Sequence, residues 1–421
     1  MQPQDSQVRG GGALPSYFPQ LDALRALALG LVIMNHWLTF PFTGNWLVDV
    51  ALGVSRMGWI GVDLFFVISG FLITGILLDT RDSPRYFQNF YARRALRIIP
   101  LYYLVLTLLI FVMPQVAAVR DLPNYDGPAS AAWWHFAFLT NIAEGMGFSN
   151  SRVLVPFWSL AVEEHFYLLW PLVVHRFGGN LAKICAWGIV SSCLSRVVLL
   201  HVLGGNERVI GFLTPCRVDG LLAGSLIAVL ARRGPAVIAQ MVRWSRVLAP
   251  VGLAAIPTCL YLQEAQGRYH LYSSGQHPWV VSLGFLFFAL FFSCVLILCV
   301  FGNAAARLAT WRAANQFGKI TYCAYLVHEP VHILVAGPLM VAGFVGAMVF
   351  SWQWMTVTAA SFGITLAVSI LSWRFFEGPI LSLKRHFQTG RTMRSGGSEE
   401  DLSEPVSGFV SEVRPGQRAN L

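Results

Sequence analysis

The sequence predicts an all-α protein, a polytopic integral membrane helix bundle of about ten transmembrane helices with one interfacial or re-entrant segment. Hydrophobic residues make up 55% of the 421 residues, charged residues only 12%, and the mean hydropathy is +0.57. A soluble domain carries about 25% charged residues. The net charge of +9 does not indicate nucleic-acid binding, because the arginines lie in short loops between apolar runs, where they are typical of membrane topology.

The predicted spans are apolar runs long enough to cross ~30 Å of hydrocarbon. Ten runs qualify, at residues 21–41, 58–79, 98–118, 157–177, 181–203, 209–230, 247–263, 280–301, 319–342 and 352–374. If the N-terminus is inside, the basic clusters fall in inner loops, as the positive-inside rule requires. These clusters include Arg81, Arg85, Arg232, Arg233, Arg243 and Arg246. Both termini are therefore expected in the cytoplasm.

A shorter run, 131–147, carries His135, Asn141 and Glu144. Counting it as a crossing would invert every later loop and place the basic clusters outside, against the positive-inside rule. It is therefore predicted to be interfacial or re-entrant. Such a segment is tolerated where protein or water satisfies its polar groups.

Composition divides the chain into three regions. Residues 1–16 form a polar N-terminal tail without the layout of a cleavable signal peptide, residues 17–387 form the transmembrane domain, and residues 388–421 form a tail predicted to be disordered and cytoplasmic. The seven cysteines lie within or beside apolar runs and form no CxxC pair. Neither a disulfide framework nor a metal site is therefore expected.

The first span contains two ionisable residues, Arg25 and His36, eleven positions apart. Eleven steps of about 100° return to within ~20° of the start, so the two side chains share one helix face about three turns apart. Ionisable groups inside a membrane are functional candidates by default. The alternative is an arginine that snorkels to the inner interface and a histidine that neighbouring helices satisfy.

The densest basic cluster is FYARRALRIIP, which contains Arg93, Arg94 and Arg97. Arg97 lies three and four positions after the other two and shares a helix face with both. Guanidinium groups bind phosphate oxygens bidentately, so the cluster predicts a phosphate clamp at the cytoplasmic end of the third span. The alternative is a signal for membrane topology alone.

The fourth span, in PFWSLAVEEHFYLLWP, places Glu163, Glu164 and His165 in an apolar, aromatic helix. Two adjacent carboxylates there lose hydration and repel each other, which favours acid–base chemistry near neutral pH. The ninth span adds Tyr325 and His328, three positions apart on one helix face.

Two further features lie in the second and sixth spans. Gly70 in the second span is predicted to let a neighbouring helix approach closely, as small residues do in membrane bundles. Arg217 and Asp219 lie two positions apart in the sixth span and are interpreted as a compensated charge pair. Asp63 is expected near the outer interface.

In their order and spacing, these motifs resemble the acyltransferase 3 family of integral-membrane acyltransferases. The motifs are Arg25 with ten residues before His36, then GVDLFFVISGFLI, FYARRALRIIP, FWSLAVEEHFYLLWP, RVDGLLAG, TYCAYLVHEP and SWRFFEGP. The resemblance covers about residues 17–387. It implies transfer of an acyl group, acetyl in particular, from cytoplasmic acyl-CoA to a hydroxyl of a carbohydrate or glycosylated acceptor.

The resemblance also implies a location in the bacterial cytoplasmic membrane, with acyl-CoA as donor substrate, no permanently bound cofactor, no metal and no nucleic-acid partner. Two departures stand out. His165 occupies the position of the family's usual glutamine, and the sequence contains no fused SGNH domain. A proton-coupled transporter of a small polar or glycan-like solute is the alternative function, because it would also use intramembrane His, Glu and Arg.

The residues and the resemblance together give a mechanistic hypothesis for the donor. Arg93, Arg94 and Arg97 bind the CoA phosphates at the inner face, and the thioester end of the donor enters the helix bundle. Arg25 binds donor phosphate or stabilises the developing oxyanion.

For the acceptor, His36 acts as general base on the hydroxyl or as a transient acyl carrier, and Glu163 orients or protonates it. Tyr325, His328 and Glu164 complete the site or bind the acceptor. Direct transfer and an acyl-histidine intermediate stay open, because both need the same histidine.

Overall fold

The computed structural model describes residues 18–38, 40, 43–116, 119, 122, 131–149, 151–264, 279–302, 312–345 and 351–387. The predicted tails, 1–16 and 388–421, lie outside these residues, so the division into three regions stays a prediction. Within the described ranges the chain is helical and contains no β-strand.

The described α-helices are numbered in chain order. They are α1 (Pro19–Trp37), α2 (Trp46–Arg56), α3 (Gly61–Asp79), α4 (Tyr86–Thr107), α5 (Ala132–Phe136), α6 (Thr140–Met146), α7 (Phe157–Phe177), α8 (Leu181–Val197), α9 (Glu207–Phe212), α10 (Thr214–Arg217), α11 (Asp219–Ala231), α12 (Pro235–Glu264), α13 (Phe285–Phe301), α14 (Arg312–Val341), α15 (Trp352–Ser372) and α16 (Gly378–Ser382). A 3₁₀ turn, Arg152–Leu154, precedes α7, and π-helical turns at Leu108–Val112, Val198–Val202, Val280–Gly284 and Trp373–Glu377 adjoin longer helices.

Six stretches of described helix are long and apolar enough to cross a membrane. They are Trp46–Asp79, Tyr86–Gln115, Phe157–Val202, Val280–Phe301, Gln316–Val341 and Trp352–His386. The predicted all-α polytopic membrane bundle is therefore confirmed. The number of crossings stays a prediction.

The predicted span 209–230 is not one helix, because it is divided among α9, α10 and α11. Leu213 is extended, with φ −66° and ψ 136°, and Pro215 occupies the first turn of α10, where its fixed φ is tolerated. The 13 residues of α11 extend about 20 Å at 1.5 Å per residue, which is less than the ~30 Å of hydrocarbon.

The segment 131–147 forms α5 and α6, with 5 and 7 residues. Neither can cross the hydrocarbon, since seven helical residues extend only about 10 Å. Its polar groups are buried and bonded to protein: Glu144 accepts a hydrogen bond from Arg208 at 3.1 Å, and Asn141 donates one to Thr214 at 3.0 Å. Protein therefore supplies at least one hydrogen bond to each of these side chains, as a re-entrant or interfacial segment requires, while Asn141 Oδ1 and Glu144 Oε1 have no partner among the described residues.

Helices α3 and α11 touch backbone to backbone through glycines. A Cβ atom at Gly70 would overlap the Leu221 carbonyl oxygen, and a Cβ atom at Gly224 would overlap the Val67 carbonyl oxygen. Small residues at such crossings let helices approach closely in membrane bundles. The predicted role of Gly70 is confirmed.

Four buried charges connect α3, α8, α10 and α11 as two ion pairs. Arg217 lies 3.0 Å from Asp63, and Arg196 lies 2.8 Å from Asp219. The interpretation of Arg217 and Asp219 as a pair is wrong, because residues two positions apart on a helix do not face each other. Phe285 also contacts Arg217, with the guanidinium carbon 3.6 Å from the ring centroid.

Helix α1 is held between α3 and α14 by further glycine contacts. Gly61 lies against the α1 backbone, and Gly318 of α14 lies against Asp22. A larger residue at either position would force α1 outwards. This close packing places His36 of α1 beside His328 of α14.

Replacing Gly70 by Ala should destabilise the protein by about 1–3 kcal/mol, because the added methyl group forces α3 away from α11. The matched control is Gly363→Ala in α15, where a Cβ atom would meet nothing within 4 Å and alanine has the better helix propensity. Thermal unfolding of the purified variants in detergent measures both. Equal midpoints for the two variants would contradict this account of the α3–α11 contact.

Candidate active site

A cavity of about 300 Å³ lies between α1, α3, α4, α7 and α14. Its polar lining includes Arg25 from α1, Arg94 and Arg97 from α4, Glu163 from α7 and Tyr325 from α14. Most of the remaining lining is apolar, with Phe65, Phe66, Leu72, Ile73 and Leu160 among the residues. The volume is at the lower end of the roughly 300–1,000 Å³ range of small-molecule sites.

Guanidinium groups from two helices meet at this cavity. Arg25 is bonded to Asp22 at 2.6 Å, and the Arg94 guanidinium lies 5.7 Å from the centroid of the Tyr167 ring. Arg97 lines the same cavity. Several fixed positive charges beside an apolar cavity favour a ligand that carries phosphate or carboxylate groups.

Arg93, the remaining member of the predicted phosphate clamp, is not among the residues that line the cavity. Its Nη1 donates a hydrogen bond to the Phe387 carbonyl at 3.3 Å. The structure therefore brings Arg94 and Arg97 together with Arg25, and places Arg93 at the flank of the group.

The paired glutamates of α7 lie in different environments, since successive helix residues point about 100° apart. Glu163 lines the cavity and accepts a hydrogen bond from the Tyr167 hydroxyl at 2.7 Å. The Tyr167 oxygen in turn accepts from the Ser69 hydroxyl. Glu164 does not line the cavity, and it lies close enough to Tyr322 to interact electrostatically with it.

Next to the cavity, His36 of α1 meets His328 of α14. Nδ1 of His36 lies 2.7 Å from Nε2 of His328, and the two ring planes differ by 11°. A nitrogen–nitrogen distance this short is a hydrogen bond between ring edges, not a stack of two ring faces. Nδ1 of His328 lies 2.7 Å from the backbone carbonyl oxygen of Tyr325.

These two contacts determine the tautomers of the neutral rings. A carbonyl oxygen only accepts, so Nδ1 of His328 carries a hydrogen and its Nε2 is an acceptor. Nδ1 of His36 must then be the donor in the His36–His328 bond. The lone pair of His36 is therefore on Nε2, the nitrogen that can take a proton or attack a carbonyl carbon.

The carboxylate that contacts His36 belongs to Glu329. Its Oε2 lies 3.7 Å from Nδ1 of His36, and its Oε1 accepts a hydrogen bond from Nε of Arg152 at 3.0 Å. The sequence pattern assigned no role to either residue. For Glu329 a signal was present, a carboxylate directly after a candidate histidine in an apolar helix, whereas Arg152 lies 177 positions earlier in the chain with no local signal.

The end of α1 is fixed by aromatic contacts around His332. The His332 ring stacks on Trp37 with centroids 4.9 Å apart, and its Nδ1 lies 3.1 Å from the Ser361 hydroxyl oxygen. The Trp354 indole donates to the Trp37 carbonyl at 2.8 Å. These contacts hold α1 against α14 and α15, and so they fix the backbone next to His36.

Tyr325 connects the cavity to the histidines. Its hydroxyl oxygen lies 2.6 Å from the Ser159 hydroxyl oxygen at the cavity, and its carbonyl oxygen holds His328. Arg25 and His36 are about 16 Å apart along α1. Arg25 lines the cavity, and His36 contacts His328 of α14.

A protein-family model matches most of the chain. The model of the acyltransferase domain, the acyltransferase 3 family, matches residues 18–374. The chain belongs to this family. The resemblance in the sequence motifs is thereby confirmed, and so is acyltransferase as the predicted class of enzyme. No solved structure matches the chain.

Curated relatives of this acyltransferase include a putative peptidoglycan O-acetyltransferase, YrhL, from Bacillus subtilis, 28% identical over 386 residues. A peptidoglycan O-acetyltransferase, OatA, from Listeria monocytogenes is 30% identical over 386 residues, and an O-acetyltransferase, OatA, from Staphylococcus aureus is 26% identical over 394 residues. The matches cover 86–87% of this chain but 55–57% of the relatives. The chain therefore spans little more than half of their length.

Within the acyltransferase domain, His36, His328 and Glu329 each offer one possible metal-ligand atom, and these atoms lie within 4.8 Å of one another. Two nitrogens bound tetrahedrally to one zinc ion at ~2.0–2.1 Å would be about 3.3 Å apart. The 2.7 Å between the two histidines is shorter. This distance fits a hydrogen bond, and proton transfer is the chemistry that the cluster supports.

Proposed function

We propose that this acyltransferase moves a short acyl group, acetyl in particular, from cytoplasmic acyl-CoA to a hydroxyl of a carbohydrate or glycosylated acceptor. The observation that carries the proposal is a cavity lined by Arg25, Arg94 and Arg97 next to a histidine whose lone pair lies on Nε2. The named activities of the relatives support acetyl as the group, and the names of two relatives include peptidoglycan. A cell-wall glycan is therefore the first acceptor to test.

On the donor side, Arg94 and Arg97 bind the phosphates of coenzyme A, with Arg93 adding charge from the flank. A cavity of about 300 Å³ with an apolar lining suits the slender pantetheine arm, while the nucleotide stays at its basic end. Arg25, on the same helix as His36, binds donor phosphate or stabilises negative charge on the thioester oxygen.

In direct transfer, Nε2 of His36 takes the proton of the acceptor hydroxyl as its oxygen attacks the thioester carbonyl carbon. The new C–O bond forms, the C–S bond breaks, and the proton on His36 passes to the leaving thiolate, which gives free coenzyme A and the ester. In the acyl-carrier route, Nε2 itself attacks the thioester carbonyl carbon, the N–C bond forms as the C–S bond breaks, and the coenzyme A thiolate leaves. The acceptor hydroxyl then attacks the acyl-imidazolium, the N–C bond breaks, and the hydroxyl proton goes to the thiolate. Both routes use the same lone pair.

The remaining predicted residues belong to the cavity wall and the acceptor side. Glu163 serves as an acid within the cavity, bonded to Tyr167, while α14 orients His36. His328 and Tyr325 position the histidine and border the acceptor, and Glu164 completes the site beside Tyr322.

The basic test is turnover by purified protein. Acetyl-CoA is supplied with a hydroxylated glycan, and both free thiol and ester are measured. An acyltransferase releases coenzyme A in proportion to ester formed, whereas a transporter of polar solutes moves its solute without consuming acetyl-CoA. If well-folded protein forms neither product with a panel of cell-wall glycans, the proposed function is wrong.

The first residue test is His36→Gln, because glutamine keeps bulk and hydrogen bonding but cannot take a proton at neutral pH. Turnover per folded molecule should fall by at least about 10²-fold, the usual loss for a general base. The measurement is specific activity of monodisperse protein. Retention of more than about a tenth of wild-type turnover would exclude His36 from proton transfer.

The second residue test asks whether the arginines of α4 bind donor phosphate or act only as a signal for membrane topology. Replacing Arg94 and Arg97 together by Ala should raise the KM for acyl-CoA, as loss of uniform binding does, and Lys at both positions should rescue only partly. Arg93→Ala serves as the matched comparison and should raise the KM less, since Arg93 does not line the cavity. An unchanged KM in the double variant would leave these arginines as topology signals.

For location, we propose the bacterial cytoplasmic membrane with both termini in the cytoplasm, supported by the basic loops. A reporter enzyme that works only outside the cytoplasm, fused after Gly390, should be inactive, and a reporter that works only inside should be active. The opposite pattern would overturn the orientation.

A further inference from the structure

We propose that Glu329 is a positioning residue for His36, and that its carboxylate stabilises the imidazolium formed when His36 takes the acceptor proton. The inference rests on the proposed function and extends it to a side chain that lies outside the predicted site. It assigns Arg152 the role of holding Glu329 in place.

The two carboxylate oxygens of Glu329 have different surroundings. Oε1 is bonded to Arg152, and Oε2 has no hydrogen-bond partner among the residues that the structure describes. A buried carboxylate oxygen without a partner is costly. Oε2 lies 3.7 Å from Nδ1 of His36, so a small rotation of either side chain brings it to the ~2.7–2.9 Å of a charge-assisted hydrogen bond.

His36 needs the Oε2 oxygen of Glu329 at one stage of the reaction and not at another. While His36 is neutral, its Nδ1 hydrogen is donated to Nε2 of His328, and this hydrogen bond satisfies the ring nitrogen without an opposite charge. Once Nε2 of His36 has taken the acceptor proton, the ring carries a positive charge inside an apolar helix bundle, which is costly without an opposite charge. Neutral His328 supplies an acceptor but no charge. Glu329 supplies the charge.

The proton balance does not need another reactant. The acceptor proton goes to Nε2 of His36, and the Nδ1 hydrogen stays on the ring, shared between His328 and Glu329. The proton on Nε2 then passes to the thiolate of coenzyme A. His36 is neutral again, and Glu329 remains a carboxylate throughout.

The charged and titratable groups around His36 come from two elements besides α1. They are Arg152 on the 3₁₀ turn, and His328, Glu329 and His332 on α14. On α2, Arg56 is directed to the Phe40 carbonyl instead. Within this described set Glu329 is the anion and Arg152 the permanent cation, so removing each should affect the imidazolium in opposite directions.

The experiment measures kcat against pH for Glu329→Gln and Arg152→Met in the full-length protein. Glu329→Gln should lower kcat by about tenfold and move the acidic limb of the profile down by about one pH unit, because the imidazolium loses its nearby anion. The KM for acetyl-CoA should stay the same, since the donor is held by the arginines of the cavity. Arg152→Met should move the acidic limb up.

The matched control is Glu144→Gln. Glu144 is also a fully buried carboxylate paired with a partly exposed arginine, Arg208 at 3.1 Å, and it also has one oxygen without a partner among the described residues. It belongs to α6 and is not among the charged groups described around His36. This variant should keep the wild-type pH profile even if it unfolds at a lower temperature.

A purely structural role for Glu329 would make its variant resemble Glu144→Gln, with lower stability and an unmoved acidic limb, and that result would overturn the inference. If Glu329→Gln does not yield folded protein, Glu329→Asp and Arg152→Met decide the question. Aspartate keeps the charge, so its acidic limb should stay near the wild-type position while kcat falls. An acidic limb in Arg152→Met that does not move upwards would equally overturn the inference.

The same assay tests the proposed function independently of the role of Glu329. Wild-type protein without acetyl-CoA turnover, or a fully active His36→Gln variant, contradicts the acyltransferase mechanism itself. An active wild type, an inactive His36→Gln variant and an unmoved profile in Glu329→Gln contradict only the role of Glu329.

Discussion

The candidate site depends on the close contact between α1 and α14. Two helices can approach this closely only where one of them lacks a side chain, and Gly318 beside Asp22 provides that space. The contact brings Arg25 to the cavity at one end and His36 to His328 at the other. Without it, the bundle would retain its charged residues but would not hold Arg25 at the cavity and His36 at His328.

The bilayer places a second constraint on the fold, since polar groups in hydrocarbon must be satisfied by protein. The bundle meets it by pairing charges across helices: Asp63 with Arg217, and Asp219 with Arg196. These pairs fix α3, α8, α10 and α11 relative to one another. The site helices are thus supported by a neutral core of ion pairs and not only by apolar packing.

Much of this arrangement follows from local patterns in the sequence. Helical periodicity placed Arg25 and His36 on one face, and the absence of a side chain at Gly70 indicated a close helix crossing. Long-range pairing did not follow, because Glu329 and Arg152 are 177 positions apart and no local rule selects them. The same holds for Asp63 and Arg217, 154 positions apart. The broken sixth span was missed because its apolar composition hides the extended backbone at Leu213.

The tautomer of His36 ultimately depends on a main-chain atom, the carbonyl oxygen of Tyr325. Every residue type has this oxygen, so substitution at position 325 can alter the cavity wall and still leave His328, and hence His36, with the same distribution of hydrogens. The nitrogen of His36 that carries the lone pair is therefore determined by the backbone of α14 and not by the side chain at position 325. A different side chain at position 325 can therefore reshape the cavity wall without changing which nitrogen of His36 carries the lone pair.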